Sequence, residues 1–122
     1  MTYEISKDYA LSYSHTLHGL PEGHPCARLH GHNGVVRVEL ATDTLDPTGF
    51  VIDYGDLRPL AAWIETTMDH RHLNDVVTGN PTAERLARHV HDWCAERGWP
   101  VVAVGWSETP KTWATYRPRE AG

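Results

Sequence analysis

At 122 residues the chain has room for one modest hydrophobic core and not for two, so a single domain over residues 1–122 is expected. Eleven basic residues stand against 16 acidic ones, a formal net charge of −5 with no basic cluster, which excludes the electrostatic footprint of a nucleic-acid binder. No apolar run approaches the roughly 20 residues that cross a bilayer, and the start MTYEISKDYA lacks a basic segment followed by a hydrophobic one; a cytoplasmic protein with neither nucleic acid nor membrane as partner is expected.

Tyr3, Ile5, Tyr9, Leu11 and Tyr13 fall at odd positions of residues 3–14, a period of two that predicts a first strand with one buried face. Gly19, Pro21, Gly23 and Pro25 make the stretch from Leu17 to Pro25 a loop. Val36, Val38 and Leu40, alternating with Arg37, Glu39 and Ala41, predict a second strand, and Asp46, Pro47 and Gly49 mark the turn after it. Leu57, Leu60, Ala61, Ile64 and Met68 form one helical stripe, predicting a helix capped by Asp56 and ending near Met68, with Asp69 and His70 at its exit. A second helix is signalled by Asn80 as cap, Pro81 in the first turn, the apolar face Leu86, Ala87, Val90, Trp93 and Cys94, and Gly98 at its end. Val102, Val104, Trp106 and Glu108 share one face of a third strand, and a turn over Thr109 to Lys111 leads to a fourth containing Trp113 and Tyr116. The order ββααββ implies an α+β fold: an antiparallel sheet with two helices on one face.

Nine histidines in so short a chain point to metal binding or proton transfer. His30 and His32 flank Gly31 at the start of the second strand, where alternate side chains point the same way and both imidazoles can reach one ion. His15, at the end of the first strand, supplies a third nitrogen if the two strands pair as a hairpin. Three neutral imidazoles with an open fourth position describe a catalytic zinc site, whereas structural zinc is usually closed by four ligands. An isolated H-x-H is more often two surface histidines; here other reactive side chains accompany it.

Cys26, four positions before His30, would have its pKa lowered by a nearby ion and serve as base or nucleophile; the alternatives are a fourth ligand or a small buried hydrophobe. Cys94 lies in the helical pattern, and both cysteines are expected as free thiols. Asp69 and His70 offer a carboxylate and an imidazole for proton transfer, although such a dipeptide is often solvated surface. Glu108 shares its strand face with apolar residues, and a half-buried carboxylate needs a partner, either a planar N–H-rich ring such as an aminopyrimidinone or a core salt bridge. His18, His24, His72, His89 and His91 receive no role, and the five tryptophans are read as core.

Taken together, His15 after a strand, PEGHPCARLHGHN from Pro21 to Asn33, TGFVIDYGDL from Thr48 to Leu57, Asp69-His70 followed by LND, NPTAE from Asn80 to Glu84, and Ser107-Glu108-Thr109 resemble the superfamily of 6-pyruvoyltetrahydropterin and 6-carboxytetrahydropterin synthases over nearly the whole chain. The resemblance implies the tunnelling fold (T-fold), in which ββααββ subunits form a barrel-shaped homo-oligomer, expected as a hexamer, with active sites between subunits. It implies His15, His30 and His32 as Zn2+ ligands, Cys26 as general base or acid with Asp69 and His70 as its proton-transfer partners, and Glu108 as the pterin anchor. The C-x3-HGH spacing from Cys26 to His32 is similar to the bacterial carboxytetrahydropterin type. The implied reaction is carbon–carbon lysis of 7,8-dihydroneopterin triphosphate to 6-carboxy-5,6,7,8-tetrahydropterin, acetaldehyde and triphosphate, toward queuosine and related 7-deazapurines. Pyruvoyl-type triphosphate elimination and a non-catalytic zinc or pterin-binding module are the alternatives, and Lys111, Arg28 and Arg71 are candidates to hold the triphosphate. Two positions depart from the family pattern. Leu11-Ser12-Tyr13-Ser14-His15 stands where Phe-x-Ala-Ala-His is usual, and Gly34 replaces the aromatic residue common after HGHN. Bulk added at Tyr13 and removed at Gly34 predicts a reshaped pocket.

Overall fold

The computed structural model describes residues 2–119. Two 13-residue strands, β1 (Tyr3–His15) and β2 (His30–Thr42), pair antiparallel in unbroken register from Tyr3↔Thr42 to His15↔His30. Helix α1 (Arg58–Thr67), the two-residue strand β3 (Arg71–His72), helix α2 (Ala83–Glu96) and the strands β4 (Val101–Ser107) and β5 (Ala114–Tyr116) follow. The sheet order is β3-β1-β2-β4-β5, and both helices cover one face. The alternation read from the sequence determines that face: Tyr9, Leu11 and Tyr13 of β1 and Val36, Val38 and Leu40 of β2 are buried against Leu60 and Ile64 of α1 and Leu86, Val90 and Cys94 of α2. Burial pushes the Cys94 thiol up to about 12, as befits an inert core cysteine. Among the described residues no helix is long and apolar enough to cross a membrane.

Several boundaries differ from expectation. The sheet has five strands, and β3 runs parallel to β1, bonding only at Tyr13 and Ser14, so the sheet is not wholly antiparallel. A run of two residues carries no readable alternation, which is why the sequence conceals it. Asp56 does not cap a helix. Asp53 accepts from Gly55 N at 2.8 Å and opens a short 3-10 turn, Tyr54–Leu57, from which α1 continues without a side-chain cap. Nor does Asn80 cap α2: Thr82 is the N-cap, its hydroxyl accepting from Arg85 N, and Asn80 is engaged elsewhere. Trp106 is fully buried and Trp63, Trp93 and Trp99 pack at the core's margin, but Trp113 is 45% exposed, its ring stacked beside Arg37 rather than within the core.

Candidate metal centre

The hairpin register brings His15 directly opposite His30, and the alternation of β2 returns His32 to the same face. The three side-chain nitrogens lie within 4.8 Å of one another, a group able to hold a metal ion. Their hydrogen bonds say more than their proximity. His15 Nδ1 is 2.8 Å from the Pro81 carbonyl and His30 Nδ1 is 2.6 Å from the Arg28 carbonyl. A carbonyl only accepts, so each ring carries its proton on Nδ1 and presents a lone pair at Nε2. Those two Nε2 atoms are only 2.8 Å apart, and His32 Nε2 is buried with no hydrogen-bond partner. Two facing lone pairs repel and an orphaned buried polar nitrogen is costly; one cation among the three nitrogens relieves both. Burial, partly offset by the Pro81 bond, holds His15 below the ordinary histidine value and so favours the neutral ring that ligates metals.

Tyr13 forms the floor of this group. Its ring centroid lies 5.4 Å from that of His15 and 5.5 Å from that of His32, and its hydroxyl accepts from Trp106 Nε1 at 3.0 Å. The hydroxyl therefore points into the core and not at the metal position. A Cβ on Gly34 would come within 2.9 Å of the Ser107 carbonyl and 3.1 Å of Tyr13 Cε1. Tyr13 and Gly34 are thus packed as one unit: the aromatic ring comes from β1, and Gly34 on β2 leaves the space that it needs. The expectation that Gly34 opens room is corrected, since Gly34 itself is buried and that room is filled.

Glu108 lies one residue beyond β4 and faces the cluster, one carboxylate oxygen 3.8 Å from His15 Nε2 and the other 3.8 Å from His32 Nε2, with the side chain 28% exposed. Cys26 sits half-buried in a short 3-10 turn, Pro25–Ala27, outside the three-nitrogen group. Asp69 and His70 lie across the sheet from the cluster. His70 lines a concavity over residues 10–12 of β1 and 33–35 of β2, where Ala10, Ser12, Asn33 and Val35 point away from the helices. Asp69 accepts from Ser12 N at 2.8 Å and lies 3.1 Å from His70 Nδ1; the Ser12 amide above all, then His70, holds its carboxyl below the usual range. His70 adopts φ 58°, a left-handed conformation uncommon outside glycine, and its side chain is 81% exposed. Lys111 and Arg28 are exposed, while Arg71 donates to the Thr66 carbonyl at 3.0 Å. Sequence reasoning missed the carbonyls of Pro81 and Arg28 that orient the histidines, because backbone partners leave no residue-type signal. It gave Asn74 no role and Asn80 only that of a helix cap, although both stand in the LND and NPTAE blocks.

Residues 4–119 match the family described as 6-pyruvoyl tetrahydropterin synthase. The chain is similar to the 6-carboxy-5,6,7,8-tetrahydropterin synthase of Bacillus subtilis (strain 168), with 30% identity over 99% of this chain and 89% of that protein. It is also similar to a putative 6-carboxy-5,6,7,8-tetrahydropterin synthase of Archaeoglobus fulgidus, 31% identical over 82% of this chain and 85% of that protein. Among solved structures, Caenorhabditis elegans 6-pyruvoyl tetrahydropterin synthase superposes with a TM-score of 0.84 at 26% identity, covering 98% of this chain and 97% of that one. With its α+β subunit fold, its three-histidine group and a match running from residue 4 to residue 119, the chain belongs to the 6-pyruvoyl tetrahydropterin synthase family of enzymes, whose T-fold it shares.

Proposed function

We propose that the protein is a zinc-dependent 6-carboxy-5,6,7,8-tetrahydropterin synthase. It would act as a carbon–carbon lyase that converts 7,8-dihydroneopterin triphosphate and one water to the carboxylated pterin, acetaldehyde and triphosphate, on the route to queuosine and related 7-deazapurines. The observation that carries this reading is the convergence of three imidazole nitrogens, two of them with lone pairs fixed by carbonyls and the third buried without a partner. The names of the Bacillus and Archaeoglobus relatives support the choice of reaction within the family.

His15, His30 and His32 would hold the ion, leaving one position open. Bound there, zinc supplies Lewis acidity at the substrate's side-chain hydroxyls, lowering their pKa. Glu108, half-buried beside the cluster, accepts two N–H bonds from the aminopyrimidinone ring and so determines which side-chain carbon faces the histidines. Cys26 exchanges a proton at that carbon, and His70, oriented through Nδ1 by Asp69, exchanges the second through its outward Nε2. Because His70 and the cluster lie on opposite faces of the sheet, this reading requires the Asp69–His70 pair of a neighbouring subunit, and hence a homo-oligomer, which we read as a hexamer. The outer edge of β1 from Tyr3 to Leu11 pairs with no strand among the described residues, a free edge suited to such assembly.

A second reading, elimination of triphosphate with retention of the three-carbon side chain, is favoured by the likeness to the Caenorhabditis elegans enzyme. Mass spectrometry of the product formed from 7,8-dihydroneopterin triphosphate separates the two. The lyase gives a carboxylated pterin and acetaldehyde, lost with a chelator and restored by zinc, and Cys26→Ala abolishes product while zinc content stays. A pterin that keeps its three-carbon chain would replace the first reading by the second.

A further inference from the structure

Asn74 and Asn80 come from the two sequence blocks that have no chemistry of their own, and each makes the pair of bonds that a peptide group makes in a β-ladder. Asn74 Oδ1 accepts from Thr16 N at 2.8 Å, while its Nδ2 donates to the Thr16 carbonyl at 2.8 Å. Asn80 Oδ1 accepts from His18 N at 2.8 Å, while its Nδ2 donates to the His18 carbonyl at 2.7 Å. In extended chain the backbone groups of residues i and i+2 point to one edge and those of i+1 to the other. Thr16 and His18 thus turn one edge toward the two asparagines, and Leu17 turns its N–H the opposite way. It donates there to the Cys26 carbonyl at 3.2 Å. Asn80 also directly precedes Pro81, whose carbonyl orients His15. Residues 74–81 therefore grip both the histidine that ends β1 and the segment that carries the chain on toward Cys26.

We propose that Asn74 and Asn80 are positioning residues that prolong β1 as a side-chain ladder through Thr16 and His18, and thereby hold Cys26 in register with the three-histidine group by way of the Leu17–Cys26 bond. The proposal rests on the assignment of Cys26 to proton transfer. A backbone splint suits this task because the stretch from Leu17 to His24 contains Gly19, Pro21 and Gly23, has no regular element of its own, and would otherwise leave Cys26 on a tether several residues long. The metal ligands depend less on the two asparagine side chains: His15 is on β1, His30 and His32 are on β2, and the carbonyl that orients His15 belongs to the Pro81 main chain.

The test compares wild type with Asn74→Ala, Asn80→Ala and the Asp variants N74D and N80D, all zinc-loaded. Asp keeps the acceptor oxygen and loses the donor, so it removes one bond of each pair without removing the side chain. Three quantities are read: the rate of Cys26 alkylation by iodoacetamide, with buried Cys94 as the internal reference; zinc per chain; and kcat and KM separately. The expected result is faster Cys26 alkylation, a fall in kcat of about 10- to 100-fold with KM little changed, zinc content retained, and the Asp variants lying between Ala and wild type. Unchanged alkylation of Cys26 in folded variants overturns the proposal, as does loss of zinc in proportion to loss of turnover, which would make the asparagines supports of the metal group. If wild type shows no pterin turnover at all, the proposed function fails, yet the alkylation rates still decide whether the asparagines position Cys26. Should the Ala variants not fold, the Asp variants decide the same question.

Discussion

The histidine cluster and the Asp69–His70 corner both attach to the last residues of β1, yet they are built by opposite means. The cluster is partly buried and locked: His15 is 1% exposed, two of the cluster's three rings are pinned by backbone carbonyls, and Tyr13 with Gly34 forms a close-packed floor beneath it. The corner follows a helix end, turns through a left-handed backbone at His70, and presents that ring to solvent on the other face of the sheet, held by Asp69 and by the bond from His70 N to the Ser12 carbonyl. A set of ligands must be rigid and stripped of water before an ion arrives, whereas a proton-transfer group must remain accessible to a substrate that another surface delivers. On the function proposed above, one chain would complete the first half of a site and display the second half outward.

Four substitutions separate these halves, in descending order of effect. His32→Ala is expected to weaken metal binding by more than about 100-fold and leave little zinc in the purified protein, as read by elemental analysis. His70→Ala should reduce turnover by roughly 10²- to 10⁴-fold while zinc content and melting temperature stay at wild-type values, because the ring is exposed and ligates nothing; a fall in zinc content would merge the two regions. Gly34→Ala forces a Cβ against the Ser107 carbonyl and the Tyr13 ring, and urea denaturation should register a loss of about 1–3 kcal/mol; a neutral result would dissolve the coupling between Tyr13 and Gly34. The smallest effect concerns acid stability. The folded Asp69 carboxyl titrates below its unfolded value, so its contribution is present above the ordinary carboxylate pKa, near 4, and is lost as pH falls through the lower folded value. Asp69→Asn should therefore be less stable than wild type near neutrality and flatten the acid limb of the urea midpoint plotted from pH 7 down to pH 3; an unaltered limb would mean that the Ser12 bond carries no such coupling.

Much of this was legible in the sequence because alternation and spacing are local signals. Odd positions of β1 and even positions of β2 marked the core face, and H-x-H on a strand placed two imidazoles on one side before any pairing was known. What was not legible depends on neighbours distant along the chain. Asn80 satisfies every local rule for a helix cap, but the His18 backbone claims its amide and Thr82 caps instead. Tyr13 and Gly34 read as two separate alterations of a pocket, whereas the hairpin register sets them diagonally across from each other, where one ring fills the space that the other position leaves. The face on which His70 emerges was equally hidden, since it is set by the parallel pairing of a two-residue strand.

Whether the metal half of one chain works with the proton-transfer half of its neighbour is decided by mixing Cys26→Ala and His70→Ala subunits. Each variant alone should be inactive on 7,8-dihydroneopterin triphosphate, and co-refolding the two should restore a fraction of wild-type turnover, because some sites then combine an intact Cys26 from one chain with an intact His70 from another. A mixture that forms mixed oligomers and stays inactive would contradict such a shared site and require both groups to act within a single chain.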